Sequence, residues 1–206
     1  MHPPQKKKYL YFAYGSNLSP TQMSTRCQKS SSSSIPLAIA FLPKWRWFIC
    51  TAGYANVLPP RHLRINKQCS ESASVPESGL QDGVYGVLYD MHPDDEVILD
   101  GYEGVDHSAP MIRGCGIRER EQGGGDYNKW VCTAFIERWL DGAGEEQRGK
   151  EEVEVLVYVD EERVCVGGPK EEYVPRMNRA MRECVGLGVD AKWVKDVIGG
   201  FIPEYP

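Results

Sequence analysis

The sequence predicts an α+β fold: a compact, curved mixed sheet, barrel-like, with a few helices packed on it. Three observations lead there. Runs rich in aromatic and β-branched residues recur along the chain, helical signals are fewer, and the longer helices cluster late. The 206 residues are 41% hydrophobic and 26% charged, which suits one domain with a real core. That single domain is expected over residues 9–203, behind a disordered tail at 1–8.

The first strand is predicted over 9–14. Lys6 to Lys8 precede it, but the apolar stretch that follows is too short for a signal peptide, whose core needs about 7–15 residues. Ser19-Pro20 then opens a helix-like stretch through Met23. Further strands are expected at 45–51, 83–89, 111–118, 130–139 and 153–159. In the last of these, alternation sets Val153, Val155, Val157 and Val159 on one face.

A short helix begins at His92-Pro93-Asp94-Asp95-Glu96, with proline and acids at the end where the helix dipole favours negative charge. A longer one starts after Gly167-Gly168-Pro169, carries Pro175 in its first turn and stops near Gly186-Leu187-Gly188. Asp190 caps a short final helix through Ile198. Polar segments enlarge this frame as loop insertions near 28–35, 66–81, 119–129 and 141–152: a serine run, a Ser/Glu/Pro stretch, a triple glycine and a mixed-charge segment.

Composition excludes several functions. Lys plus Arg total 24 against 29 Asp plus Glu, a net charge of -5, and the basic residues are scattered. A dedicated nucleic-acid binder carries a basic stripe instead. No apolar run approaches the ~18 residues of a membrane span. The 7 cysteines form no C-x-x-C pair and sit in apolar stretches such as Phe48-Ile49-Cys50. They read as small buried hydrophobes in a reducing cytoplasm, with no disulfide and no metal.

Two segments carry candidate chemistry. In Tyr11-Phe12-Ala13-Tyr14-Gly15-Ser16-Asn17-Leu18 a strand ends in a Gly-Ser-Asn turn. Such a turn can aim successive backbone N–H groups into one concavity, which suits a carboxylate or an oxyanion. A plain strand-to-helix turn uses the same residues. In Leu99-Asp100-Gly101-Tyr102-Glu103-Gly104 the glutamate sits at a helix exit, near the negative end of the dipole, where its pKa rises and it improves as a base. Most helix-terminal glutamates are merely exposed.

Together, and in this order, the two segments resemble the γ-glutamylcyclotransferase family. Gly83-Val84-Tyr85-Gly86-Val87-Leu88-Tyr89, Val157-Tyr158-Val159, Gly168-Pro169-Lys170-Glu171-Glu172-Tyr173 and the closing Phe201-Ile202-Pro203 add to the likeness. The resemblance implies a γ-glutamyl cyclotransferase-like barrel and an enzyme that cyclises a γ-glutamyl group. The α-amine attacks its own γ-carbonyl, releasing 5-oxoproline and a free amine or amino acid; a glutathione-derived conjugate is one candidate substrate.

By the same resemblance Glu103 is the general acid/base. Tyr11, Phe12, Ala13, Tyr14, Gly15, Ser16 and Asn17 form the substrate segment, with Tyr11 and Ala13 sharing one strand face, and Tyr158 and Tyr173 complete the pocket. The ring forms within the substrate, so no nucleophile, metal or cofactor is needed. The implied partner is a small γ-glutamyl molecule, with no nucleic acid and no membrane, acting on a monomer or homodimer.

The chain departs from the family's pattern in Asp106-His107-Ser108-Ala109-Pro110-Met111, where many members carry a tyrosine. His107 is close enough in sequence to influence Glu103, and equally fits an exposed loop. Asn56 suits either a substrate contact or a turn. The alternatives to an enzyme of this kind are a non-catalytic module of the same fold that binds γ-glutamyl or acidic metabolites, and a hydrolase releasing glutamate.

Overall fold

A computed structural model of the chain describes residues 9–63, 82–109, 125–140 and 151–204, and the backbone of 119–121. The tail at 1–8, the strand expected at 111–118, the loop expected at 66–81 and residues 141–150 of the last loop lie outside the described residues.

The strands are β1 (Leu10–Ala13), β2 (Pro36–Pro43), β3 (Arg46–Ile49), β4 (Ala55–Leu58), β5 (Gly83–Tyr89), β6 (Glu119–Glu121), β7 (Asn128–Trp139) and β8 (Glu152–Val159). The main sheet runs β2-β5-β1-β8-β7-β6, and β2 also pairs with β7. Strands β2, β5, β1, β8 and β7 therefore close into a barrel. Only β1 and β8 run parallel among these pairs. Closure removes the unpaired edges that an open sheet would present. β6, within the segment that the sequence reads as a loop over 119–129, pairs with β7 at residues 129–131. β3 and β4 form a separate ribbon.

Besides β6, the strands β2 and β4 escape the sequence reading. The run Leu37-Ala38-Ile39-Ala40-Phe41-Leu42 lacks alternation because both faces of β2 are covered, with the consecutive Ala38, Ile39 and Ala40 all buried. Asn56, read as a turn or substrate residue, lies on β4 and is fully buried. Its side-chain amide donates to the Asp160 carbonyl (2.9 Å), which ties the ribbon to the end of β8. The alternation of β8 holds only at its start, since from Val155 onward both faces are covered.

The helices are α1 (Pro20–Arg26), α2 (Pro93–Glu103), α3 (Tyr173–Leu187) and α4 (Ala191–Trp193), the last continuing as a wider turn through Ile198. Ser19 caps α1 by accepting from the Gln22 N–H at 3.0 Å. Pro175 is the third residue of α3, where no backbone donor is needed, and Gly188 ends the helix in a left-handed conformation.

The serine run forms a 3-10 turn over Ser31–Ser34, pinned to α2 through Asp95. That buried carboxylate accepts from the backbone N–H groups of Lys29 (2.8 Å) and Ser30 (2.9 Å) and from the Ser33 hydroxyl (2.7 Å). Among the described residues no helix is long and apolar enough to cross a membrane.

Candidate active site

β1 delivers the chain into a 3-10 turn, Ser16–Leu18, and a cavity of about 290 Å³ opens beside it. Tyr11, Tyr14, Gly15, Ser16, Asn17, Glu103, Tyr158 and Tyr173 all line this cavity. Residues far apart in sequence thus share one wall. Phe12 and Ala13 are the exceptions within the segment expected to hold substrate. Phe12 points the opposite way from Tyr11 and is fully buried, its ring against Gly86. Ala13 shares the parity of Tyr11, but its methyl group belongs to the core.

The cavity also takes in residues the sequence reading passes over: Arg26, Tyr54, Ala55, Tyr102, Tyr127 and Arg176. Arg26 matters most. Reading α1 as ending near Met23 leaves out its last turn, which carries the guanidinium to the site. There it donates to Asn17 Oδ1 at 3.1 Å and meets Glu103 Oε1 at 3.4 Å. It also stacks over the Tyr102 ring, 4.6 Å from the centroid.

Hydrogen bonds fix the turn from several sides. Asn17 donates from Nδ2 to the Tyr11 hydroxyl at 2.9 Å. The Ser16 N–H donates to the Tyr173 hydroxyl at 3.3 Å, and Trp47 Nε1 donates to the Tyr14 carbonyl at 2.9 Å. The Tyr14 hydroxyl reaches across to the Tyr158 carbonyl at 2.7 Å. Gly15 is needed for close approach: a Cβ there would lie 3.0 Å from the Tyr173 hydroxyl and 3.3 Å from the Ala55 side chain.

Glu103 is the last residue of α2, and Gly104 turns the chain with φ 66°. The side chain of Glu103 is 19% exposed. Burial raises its pKa above the ordinary carboxylate value; Arg26 and then Arg176 oppose the rise, and Asp100 adds to it. The surrounding phenols stay protonated. Burial pushes Tyr173 up to about 12 and lifts Tyr11 and Tyr127 higher still. The site therefore offers hydroxyl donors, two guanidinium groups and one carboxylate suited to carrying a proton. His107 lies outside the cavity, half exposed, with Nε2 3.4 Å from Asp100 Oδ2. Among the described residues no group of three or more His, Cys, Asp and Glu is placed to hold a metal ion.

No protein-family model and no curated protein matches the sequence. Solved structures do. The chain is similar to a γ-glutamyl cyclotransferase, with a TM-score of 0.50 and 15% identity over 93% of this chain and 87% of that one. It is similar to YkqA from Bacillus subtilis with a TM-score of 0.58 and 14% identity, over 97% of this chain and 57% of that one. The chain thus spans little more than half the length of YkqA. At such identities the likeness is one of fold: the chain has a γ-glutamyl cyclotransferase-like α+β barrel.

Proposed function

We propose that the protein is a γ-glutamyl cyclotransferase, converting a γ-glutamyl amino acid or amine into 5-oxoproline and the free amine. The observation that carries this reading is Glu103. Its carboxylate has a raised pKa and lines a small cavity walled by the Gly-Ser-Asn turn, between Arg26 and Arg176. A zwitterionic γ-glutamyl group has complementary features. Its α-carboxylate suits a guanidinium, its α-ammonium suits Glu103, and its γ-carbonyl oxygen suits backbone donors of the turn.

Glu103 takes one proton from the α-ammonium, whose pKa of about 7.7–8.0 is within reach of a raised carboxylate. The freed nitrogen attacks the γ-carbonyl carbon and a C–N bond forms. As the tetrahedral centre collapses, the bond to the leaving nitrogen breaks. Two protons pass in all from the attacking to the leaving nitrogen, each by way of Glu103, so the carboxylate ends as it began. Both reacting groups belong to one molecule, so holding the chain of the glutamyl group bent supplies most of the orientation. We place the reaction in the cytoplasm, where thiols such as the buried Cys27, Cys50, Cys132 and Cys184 stay reduced.

Incubation with γ-glutamyl-alanine should yield 5-oxoproline and alanine in equal amounts. Glu103→Gln keeps the shape of the side chain and removes the base, so turnover should fall by about 10³-fold or more. Glutamate as the product would mean hydrolysis instead. Saturable binding without any product would mean a binding module.

A further inference from the structure

Behind the wall of the cavity lies a second set of charges that the reaction above does not use. Asp100 sits one turn before Glu103 on α2 and is 2% exposed. Its Oδ1 accepts from the Tyr158 hydroxyl at 2.6 Å, and its Oδ2 accepts from Lys129 Nζ at 3.2 Å. Lys129 and Tyr158 face each other across β7 and β8, so both reach the same carboxylate from one face of the barrel. Lys129 is as buried as Asp100 and also pairs with Glu96, one turn further back. The Asp100 backbone carbonyl accepts from the Gly104 and Val105 N–H groups, closing the turn that ends at Glu103.

We propose that Asp100 is a positioning residue for Glu103: anchored by Lys129, it holds the Tyr158 hydroxyl and the last turn of α2 in place. This rests on the cyclotransferase reading of the site. The alternative, a simple staple between helix and barrel, does not require a buried carboxylate next to the base. Charged pairs in an interior cost desolvation, and an apolar contact would join α2 to β7 and β8 as well. A carboxylate here does two further things. It accepts the Tyr158 O–H as a hydrogen bond, so that hydroxyl presents only its oxygen lone pairs to the cavity. It also sets a negative charge one turn from Glu103, which favours the proton-carrying form of that side chain.

Glu103 meets Arg26 from α1, Arg176 from α3 and the phenols of Tyr11, Tyr14, Tyr127, Tyr158 and Tyr173. Asp100 meets Lys129, Tyr158, His107 and, through Lys129, Glu96. Asp100 is therefore the nearby anion whose removal should be felt at Glu103.

The test reads Glu103 directly. Its side-chain carboxyl is titrated by carbon-13 NMR in the full chain, with Glu103→Gln identifying the resonance, and kcat and KM for γ-glutamyl-alanine are measured beside it. In Asp100→Asn the titration should fall by about 0.5 pH or more, since an anion is gone and Lys129 is left with one partner fewer. The value of kcat should fall about tenfold with KM within about twofold, because an asparagine oxygen still accepts from Tyr158. Tyr158→Phe should raise KM and leave the titration where it is.

A folded Asp100→Asn variant with an unchanged titration and an unchanged kcat would overturn the proposal. If that variant does not fold, Asp100→Asn/Lys129→Met removes both charges and is judged on kcat, because the two deletions act on the Glu103 titration in opposite directions. A fall in kcat with KM within about twofold supports the role, and an unchanged kcat refutes it. Absence of 5-oxoproline from the unaltered protein would count against the cyclotransferase reading instead, while the titration still decides what Asp100 does.

Discussion

At the scale of single residues, Glu103 and the arginine that opposes the rise of its pKa make two predictions. Arg26 is the larger of the two cations that hold Glu103 down. Arg26→Met should let the Glu103 pKa climb, moving the acidic limb of the kcat/KM profile up by about 1 pH. A limb that stays put or moves to lower pH would remove Arg26 from the electrostatics of the site. The second prediction concerns stability. A carboxyl whose pKa is raised on folding binds its proton more tightly in the native state. Its contribution is fully present below the unfolded value and is lost as pH rises through the folded one. At neutral pH the buried Glu103 carboxylate is thus a cost, and Glu103→Gln should raise the unfolding midpoint by about 1–3 °C while abolishing turnover. Equal midpoints at pH 4 and a gap at pH 7.5, seen by calorimetry, are the expected pattern. Glu103 stands out in the sequence through the family resemblance, because a glutamate at a helix exit followed by glycine is by itself most often an exposed residue. Arg26 does not, because nothing nearby marks which arginine a helix carries toward a distant carboxylate.

At the scale of elements, α2 ties down the serine turn at one end and presents Glu103 to the cavity at the other. The acids of its first turn read as dipole partners, yet Asp95 is buried and holds the serine turn with three hydrogen bonds. Burial acts to raise its pKa, but the donors from Lys29, Ser33 and Ser30 outweigh it and hold the carboxyl below its ordinary value. Its contribution is therefore present above the unfolded value near ~3.9 and is lost as pH falls through the folded one. Asp95→Asn should cost about 2–4 kcal/mol at pH 7, with the difference from the unaltered protein shrinking below pH ~4. Urea unfolding at both pH values measures this, and a gap independent of pH would refute the ionic part. The serine run illustrates what composition hides. Ser30 to Ser34 look like low complexity, but one of those hydroxyls, Ser33, is fully buried against Asp95 and also accepts from the His92 N–H at 2.9 Å.

At the scale of the whole molecule, barrel closure is where sequence reading runs out. Alternation reveals strands with one wet face, but both faces of β2 are covered and it reads only as an apolar run between two prolines. Without β2 the ring cannot close, and so the sequence alone suggests a curved sheet as readily as a barrel. The same distance problem applies to the far end of the described chain. Phe201 packs edge-to-face on Trp47, 5.7 Å between centroids, and Trp47 Nε1 holds the Tyr14 carbonyl just before the Gly-Ser-Asn turn. A residue in the tail is thus two contacts from the Gly-Ser-Asn turn. Phe201→Ala should cost about 1–3 kcal/mol and lower kcat/KM about tenfold, because a small shift of the turn misplaces the reacting groups. Trp47→Phe keeps most of the packing but loses the donor, so it should lower kcat/KM with a smaller loss of stability. Trp193→Phe is the control, since its Nε1 donates to the Gly83 carbonyl at 3.0 Å, outside the cavity. It should lower the unfolding midpoint and leave kcat/KM at the level of the unaltered protein. If activity in the three variants simply followed their stability, the tail would be packing alone; a loss confined to Phe201 and Trp47 makes it part of what holds the turn in register.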